Sequence, residues 1–145
     1  MRIAFTILLL TCVPVISSSQ STPETAIREQ QAALAAAIDK RDAAAVAALF
    51  TMDGDEIFFD QPQLVGPDAI RKSAEERFST WPATQRFTLT VRKIRVLSPD
   101  IAIVDTLATF SEGEMRSNRG TSVLVRQNGK WLTVALRVYP AAAAE

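Results

Sequence analysis

The chain has 145 residues, 48% of them hydrophobic, and its 16 lysines and arginines balance 16 aspartates and glutamates to a formal charge of zero. This is the composition of one globular domain, too apolar for disorder and lacking the basic excess of a nucleic-acid-binding protein. With no histidine and a single cysteine, it excludes histidine-based triads, histidine zinc sites, an internal disulfide framework and a Cys-x-x-Cys centre.

Arg2, an apolar run over residues 3–10 and the small polar Ser17-Ser18-Ser19-Gln20 have the pattern of a secretory signal peptide cut after Ser19. The apolar run is shorter than the roughly 20 residues of a spanning helix. An alternative takes Leu9-Leu10-Thr11-Cys12 as a lipoprotein box, although threonine is a poor residue directly before a lipidated cysteine. The expectation is a periplasmic or secreted protein, free of the membrane after signal removal, with residues 20–145 as its single domain.

Thr22-Pro23-Glu24 reads as N-cap, first helical residue and first-turn acid, and Ile27, Leu34 and Ile38 form one stripe of a helix running to about Lys40. Asp42 caps a short second helix over residues 43–50. Met52-Asp53-Gly54-Asp55 reads as the turn that ends it; the acids lack the alternate spacing, sixth-position glycine and twelfth-position glutamate of an EF-hand. A strand follows over residues 56–60. Pro67 opens a third helix carrying Ile70, Ala74 and Phe78, which stops before Trp81-Pro82. From Arg86 the apolar period is two. Phe87, Leu89 and Val91 share a face, then the phase slips after Arg92-Lys93 to Ile94 and Val96, the sign of a β-bulge. Further strands are predicted over residues 101–110, 119–126 and 131–139, with Asn128-Gly129 as the hairpin turn between the last two. Three helices and a strand before four antiparallel strands is an α+β order. It predicts a curved antiparallel sheet wrapped as a cone around the three N-terminal helices, with a cavity between them.

Several segments carry a resemblance. They are Ile38-Asp39-Lys40-Arg41-Asp42, Leu49-Phe50, Glu56-Ile57-Phe58-Phe59-Asp60, Gly66-Pro67-Asp68-Ala69-Ile70, Asp100-Ile101-Ala102-Ile103-Val104 and Gly120-Thr121-Ser122-Val123-Leu124-Val125, continuing to Gly129-Lys130-Trp131. In this order they resemble SnoaL-like proteins, of the superfamily of nuclear transport factor two and ketosteroid isomerase, over about residues 24–140. The resemblance implies the cone fold. It does not imply one function, because that superfamily hosts isomerases, cyclases, dehydratases, hydrolases and non-catalytic modules.

Asp60 falls where the resembling isomerases and cyclases place their carboxylate base, beside Phe58 or Phe59, whose apolar rings would raise its pKa. Otherwise it is a solvated turn aspartate before Gln61-Pro62. The isomerase's oxyanion tyrosine falls on Leu34 and its protonated aspartate on Thr121, so ketosteroid isomerase activity is not expected. Asp105 interrupts an apolar strand and either faces the cavity or pairs with Arg119 or Arg137. Arg137 grips an anionic ligand if its face lines the cone; otherwise it belongs to a dimer contact or solvent. Arg119 is the alternative anchor for such a ligand, and Phe58, Trp81 and Tyr139 complete the candidate ligand contacts, with Trp81 covering the mouth. The last strand alternates between an apolar set (Leu132, Val134, Leu136, Val138) and a mixed set (Trp131, Thr133, Ala135, Arg137, Tyr139), which suggests a homodimer through the sheet. The expected function is binding of a small apolar or weakly anionic molecule; the alternative is an enzyme using Asp60 as general acid or base. Neither reading calls for a metal or cofactor, and no phosphate-loop, dinucleotide or Gly-x-Ser-x-Gly motif occurs.

Overall fold

The computed structural model describes residues 22–113 and 116–141. The predicted signal segment and Cys12 lie outside the described residues. Thr22 caps helix α1 (Pro23–Asp39): its hydroxyl accepts from the Thr25 amide, with proline in the first helical turn. Asp42 caps α2 (Ala43–Ala47) in the same way through Ala45. That second helix is three residues shorter than expected. Its end is decided by tertiary pairing: the Thr133 amide donates to the Leu49 carbonyl and draws the chain into strand β1 (Phe50–Phe58).

The segment Asp53-Gly54-Asp55 is therefore part of a strand, correcting the turn expected there. Met52 loops out of the ladder, 84% exposed, in the irregular stretch between Phe50 and Asp55. Gly54 is the tight point, where an added Cβ would come 2.8 Å from the Thr133 carbonyl oxygen. A two-residue strand β2 (Leu64–Val65), unforeseen in the sequence, pairs antiparallel with β1. Helix α3 (Pro67–Ser79) agrees with its prediction.

The remaining strands are β3 (Phe87–Ser98), β4 (Ile101–Phe110), β5 (Ser117–Gln127) and β6 (Lys130–Pro140). Asn128 and Gly129, at φ 50° and 78°, make the expected hairpin turn. The single sheet has the order β2-β1-β6-β5-β4-β3. Strands β3 to β6 are antiparallel, as read from the sequence, whereas β1 lies parallel to β6, so the sheet is mixed. The predicted bulge in β3 is present between Val91 and Lys93.

A further bulge at Val134 in β6 re-phases that strand. Trp131 and Thr133 share the helix-facing side with Leu136 and Val138, while Leu132, Ala135, Arg137 and Tyr139 take the other. The two sets read from strict alternation are thus each split by the bulge.

The helices cover one face of the sheet, and the core has two parts. One joins Leu34, Val46, Phe50, Ile70 and Phe78 between the three helices. The other packs Ile27 of α1 on Ala102, Val104, Leu124 and Trp131 of the sheet. Between them the helices and sheet do not meet, and a cavity remains. No described helix is long and apolar enough to cross a membrane.

Candidate functional site

The cavity has a volume of about 450 Å³, within the range of small-molecule sites. Gln31, Leu34 and Ile38 of α1 line one side; Phe78 of α3, with Trp81 and Pro82 after it, line another. The sheet contributes Glu56 and Phe58 from β1, and Thr106, Asn118, Gly120, Ser122, Leu136 and Val138 from the inner face of β4, β5 and β6. Much of the wall is aromatic. Phe78, Trp81, Phe110 and Phe87 follow one another in edge-to-face steps with ring centroids 5.1, 5.6 and 5.3 Å apart. The Trp81-Pro82 corner is tied to the α1–α2 turn, where the Arg41 guanidinium donates to the Pro82 carbonyl.

Glu56 is the buried acid at this wall, 4% exposed, and shares the lining with Arg77, Glu112 and Arg119. Burial pushes its carboxyl above the ordinary 4.5, while the Arg77 guanidinium pulls in the opposite direction without winning. The approach explains the outcome. The nearest Arg77 nitrogen is 3.6 Å from Glu56 Oε2, too far for a good hydrogen bond, and Oε2 has no hydrogen-bond partner. Arg77 is itself placed by three contacts, since it also donates to Ser73 Oγ at 3.2 Å and lies 5.0 Å from the centre of the Phe58 ring. A second groove, of about 650 Å³, lies against β1 and α3 and shares Phe58 and Arg77 with the cavity as its wall.

The residues expected from the sequence divide between the two faces of the sheet. Phe58 and Trp81 line the cavity, and Arg119 is exposed and borders it. Asp60 is exposed and does not line it. Strand alternation would carry Glu56, Phe58 and Asp60 on one face, but the strand ends at Phe58, and Phe59 at φ 58° turns the chain away. Asp105 lies on the outer face, where it accepts from Thr121 Oγ1 at 2.8 Å and sits 3.8 Å from Arg95 rather than from Arg119 or Arg137. Arg137 is on that face too, 2.7 Å from Asp55, and Tyr139 beside it is 52% exposed. Of the two positions compared with the isomerase, Leu34 lines the cavity but Thr121 does not; Gly120 and Ser122 face inward there.

Sequence reasoning missed Glu56, Arg77, Gln31 and Asn118. Glu56 carried a signal, because it stands two residues before Phe58 in one strand and so shares its face. Arg77 carried none: it sits on a helix face with ordinary surface spacing, and only packing of α3 against β1 brings it to Glu56.

A sequence model of the SnoaL-like domain matches residues 27–136. No curated protein matches the chain. Among solved structures it is similar to a domain of unknown function with a cystatin-like fold from Nostoc punctiforme, with a TM-score of 0.74, 20% identity, and 83% of this chain covered against 78% of that one. A nuclear transport factor two-like protein of unknown function from Pseudomonas putida gives 0.72 and 21%, covering 84% and 89%. A ketosteroid isomerase-like protein from Erwinia carotovora gives 0.69 and 19%, covering 82% and 96%. At these identities the likeness is one of fold.

Proposed function

This chain belongs to the SnoaL-like domain family, and we propose that its cavity is a small-molecule site in which Glu56 exchanges a proton with a largely apolar ligand. The observation that carries this reading is a carboxyl group buried at the wall of a 450 Å³ cavity, with its pKa raised and one oxygen unpartnered. A buried carboxyl left incompletely satisfied is costly, and such groups concentrate where a reaction uses them. A raised pKa brings the acid and base forms closer to balance near neutral pH, which suits proton transfer next to a carbonyl. Arg77 supports the same role: at 3.6 Å it favours the carboxylate without quenching it by a close hydrogen bond. The aromatic wall offers edge-to-face packing to a flat ring.

The test uses 2-tetralone, a cyclic ketone with acidic hydrogens beside its carbonyl, in deuterated buffer. Wild-type protein should accelerate uptake of deuterium read by NMR; Glu56→Gln should remove that acceleration and Glu56→Asp keep part of it. Equal rates with and without wild-type protein, or acceleration retained in Glu56→Gln, would leave a binding module without chemistry. That second reading is favoured by one observation: Glu56 already has a counter-ion.

Export belongs to the same proposal and rests on Arg2, the apolar run over residues 3–10 and Ser17-Ser18-Ser19. Protein recovered from a periplasmic or culture fraction should begin at Gln20; a cytosolic chain still beginning at Met1 refutes it. A homodimer through the outer sheet face is also proposed. It is supported by Ile101 and Tyr139, 42% and 52% exposed, and by half-buried Ile103, Leu107, Val123, Val125 and Ala135 on one continuous surface.

A further inference from the structure

Three side chains on three different elements bring the same unmet need to the cavity. Gln31 of α1, Glu56 of β1 and Asn118 of β5 are 2%, 4% and 3% exposed, and all line it. Each carries an oxygen with no hydrogen-bond partner: Oε1 of Gln31, Oε2 of Glu56 and Oδ1 of Asn118. For Gln31 the orientation has a cause within the fold. Its Nε2 donates to Gln30 Oε1 at 2.7 Å, and Gln30 Nε2 donates to Thr133 Oγ1 at 3.3 Å, so the amide's donor is spent inside the protein and its acceptor is left over. Buried acceptors are rarely left unmatched, and three around one cavity call for donors from outside the chain.

Charge points the same way. Of the two cations that line the cavity among the described residues, Arg77 is engaged by Glu56, by Ser73 and by the Phe58 ring, and Arg119 is exposed at its border. Arg137, which would grip an anion only from the inner face, is paired with Asp55 on the outer one. An anionic group reaching the inner wall would have to displace Glu56 from Arg77 and would meet three acceptor oxygens. The rest of the wall is mainly aromatic and aliphatic, with Thr80, Gln85, Thr106 and Ser122 among its polar members, and Glu112 also lines it.

We propose that the ligand is a neutral, ring-bearing alcohol or phenol whose hydroxyl donates its hydrogen to one of the acceptor oxygens of Gln31, Glu56 and Asn118. This deepens the reading of the cavity as a small-molecule site and rests on it, though not on any proton transfer there. A methyl ether of the same ring keeps the shape and the apolar surface but has no hydrogen to give. A carboxylate of the same ring brings a negative charge towards three acceptor oxygens.

The probes are 2-naphthol, 2-methoxynaphthalene and 2-naphthoate, titrated calorimetrically into the wild-type chain at neutral pH. The expected order is 2-naphthol tightest, with a Kd at least about tenfold below that of the ether, and the naphthoate weakest. Gln31→Leu and Asn118→Leu should each bring the ratio of naphthol to ether towards one, mainly by weakening the naphthol. Equal affinities for naphthol and ether overturn the proposal, as does tightest binding of the naphthoate. The wild-type ratio decides the matter even if a variant fails to fold. Selectivity for the naphthol without deuterium exchange on 2-tetralone would remove the proton-transfer reading and leave this one standing. Failure of all three probes to bind would remove both.

Discussion

Two consecutive carboxylates of β1 point to opposite faces of one sheet, and their surroundings differ in kind. Asp55 turns outward and is met at close range: Arg137 lies 2.7 Å from its Oδ2, and Gln63 donates to the same oxygen at 2.6 Å. Glu56 turns inward, where the Arg77 guanidinium stands at 3.6 Å and Oε2 has no hydrogen bond among the described residues. Both are almost wholly buried, at 8% and 4% exposure. An acid–arginine pair is therefore not one thing in this protein. On the outer face it is closed and structural. At the cavity it is held open, and burial keeps the carboxyl pKa raised in spite of Arg77. Close hydrogen bonding, rather than burial or charge, separates the two.

The comparison is broken most sharply by exchanging each acid for its amide. Glu56→Gln should slow deuterium exchange on 2-tetralone by about 100-fold or more, in the usual range for loss of a general base. Asp55→Asn should leave that rate within about threefold of wild type, since it does not touch the cavity. Comparable losses in both variants would mean that the two faces act as one unit.

Removing the cations tests the same contrast through stability. Arg137→Ala leaves Asp55 buried with only Gln63, and unfolding in urea should show a loss of about 2–3 kcal/mol, below the full value for a buried pair because Arg137 is partly solvated. Arg77→Ala should cost less, about 1 kcal/mol, because the unpaired Glu56 can take up a proton as its pKa rises further. A larger loss at Arg77 than at Arg137 would show that the inner pair is the structural one.

The third expectation is a pH dependence with a definite sign. Between 4.5 and its raised folded value, Glu56 is protonated in the folded chain and ionised in the unfolded one. Its contribution is therefore fully present below the unfolded value and is lost as pH rises through the folded value. The stability of wild type relative to Glu56→Gln, from urea midpoints at a series of pH values, should fall across that window and then level off. A difference that stays flat, or that grows with pH, contradicts it.

The smallest effect on folding is expected at the outer face away from Asp55. Val123→Arg puts a charge in the proposed dimer contact, so light scattering should read a monomer where wild type reads a dimer. The folded monomer should lose no more than about 1 kcal/mol, because Val123 is half-buried on the sheet surface. A monomeric wild type removes the dimer proposal.

Much of the fold was legible because its signals are local. A cap such as Thr22 or Asp42, a proline such as Pro67 at a helix start, and Asn128-Gly129 at a hairpin each act through their own backbone within a few residues. Strand phase was legible as far as the bulge in β3, because Val91 and Ile94 show the slip by their own hydrophobicity. The bulge at Val134 gave no such sign: apolar residues occupy both faces of β6 there, so a slip leaves the pattern unchanged.

The site was less legible for the same reason. Phe58 and Trp81 were found as large rings at element ends, whereas Asp60 was misplaced by a single residue, Phe59, whose left-handed conformation nothing in its side chain announces. What the sequence by itself determined is the set of helices, the main strands, the α+β order and the family, all of which depend on short-range preferences and period. Only the tertiary structure decided the parallel pairing of β1 with β6, the face each carboxylate occupies, and the meeting of Glu56 with Arg77 across 21 positions of chain. These depend on register and packing between distant segments, and a one-residue change in register reverses which side chain is buried and which meets water.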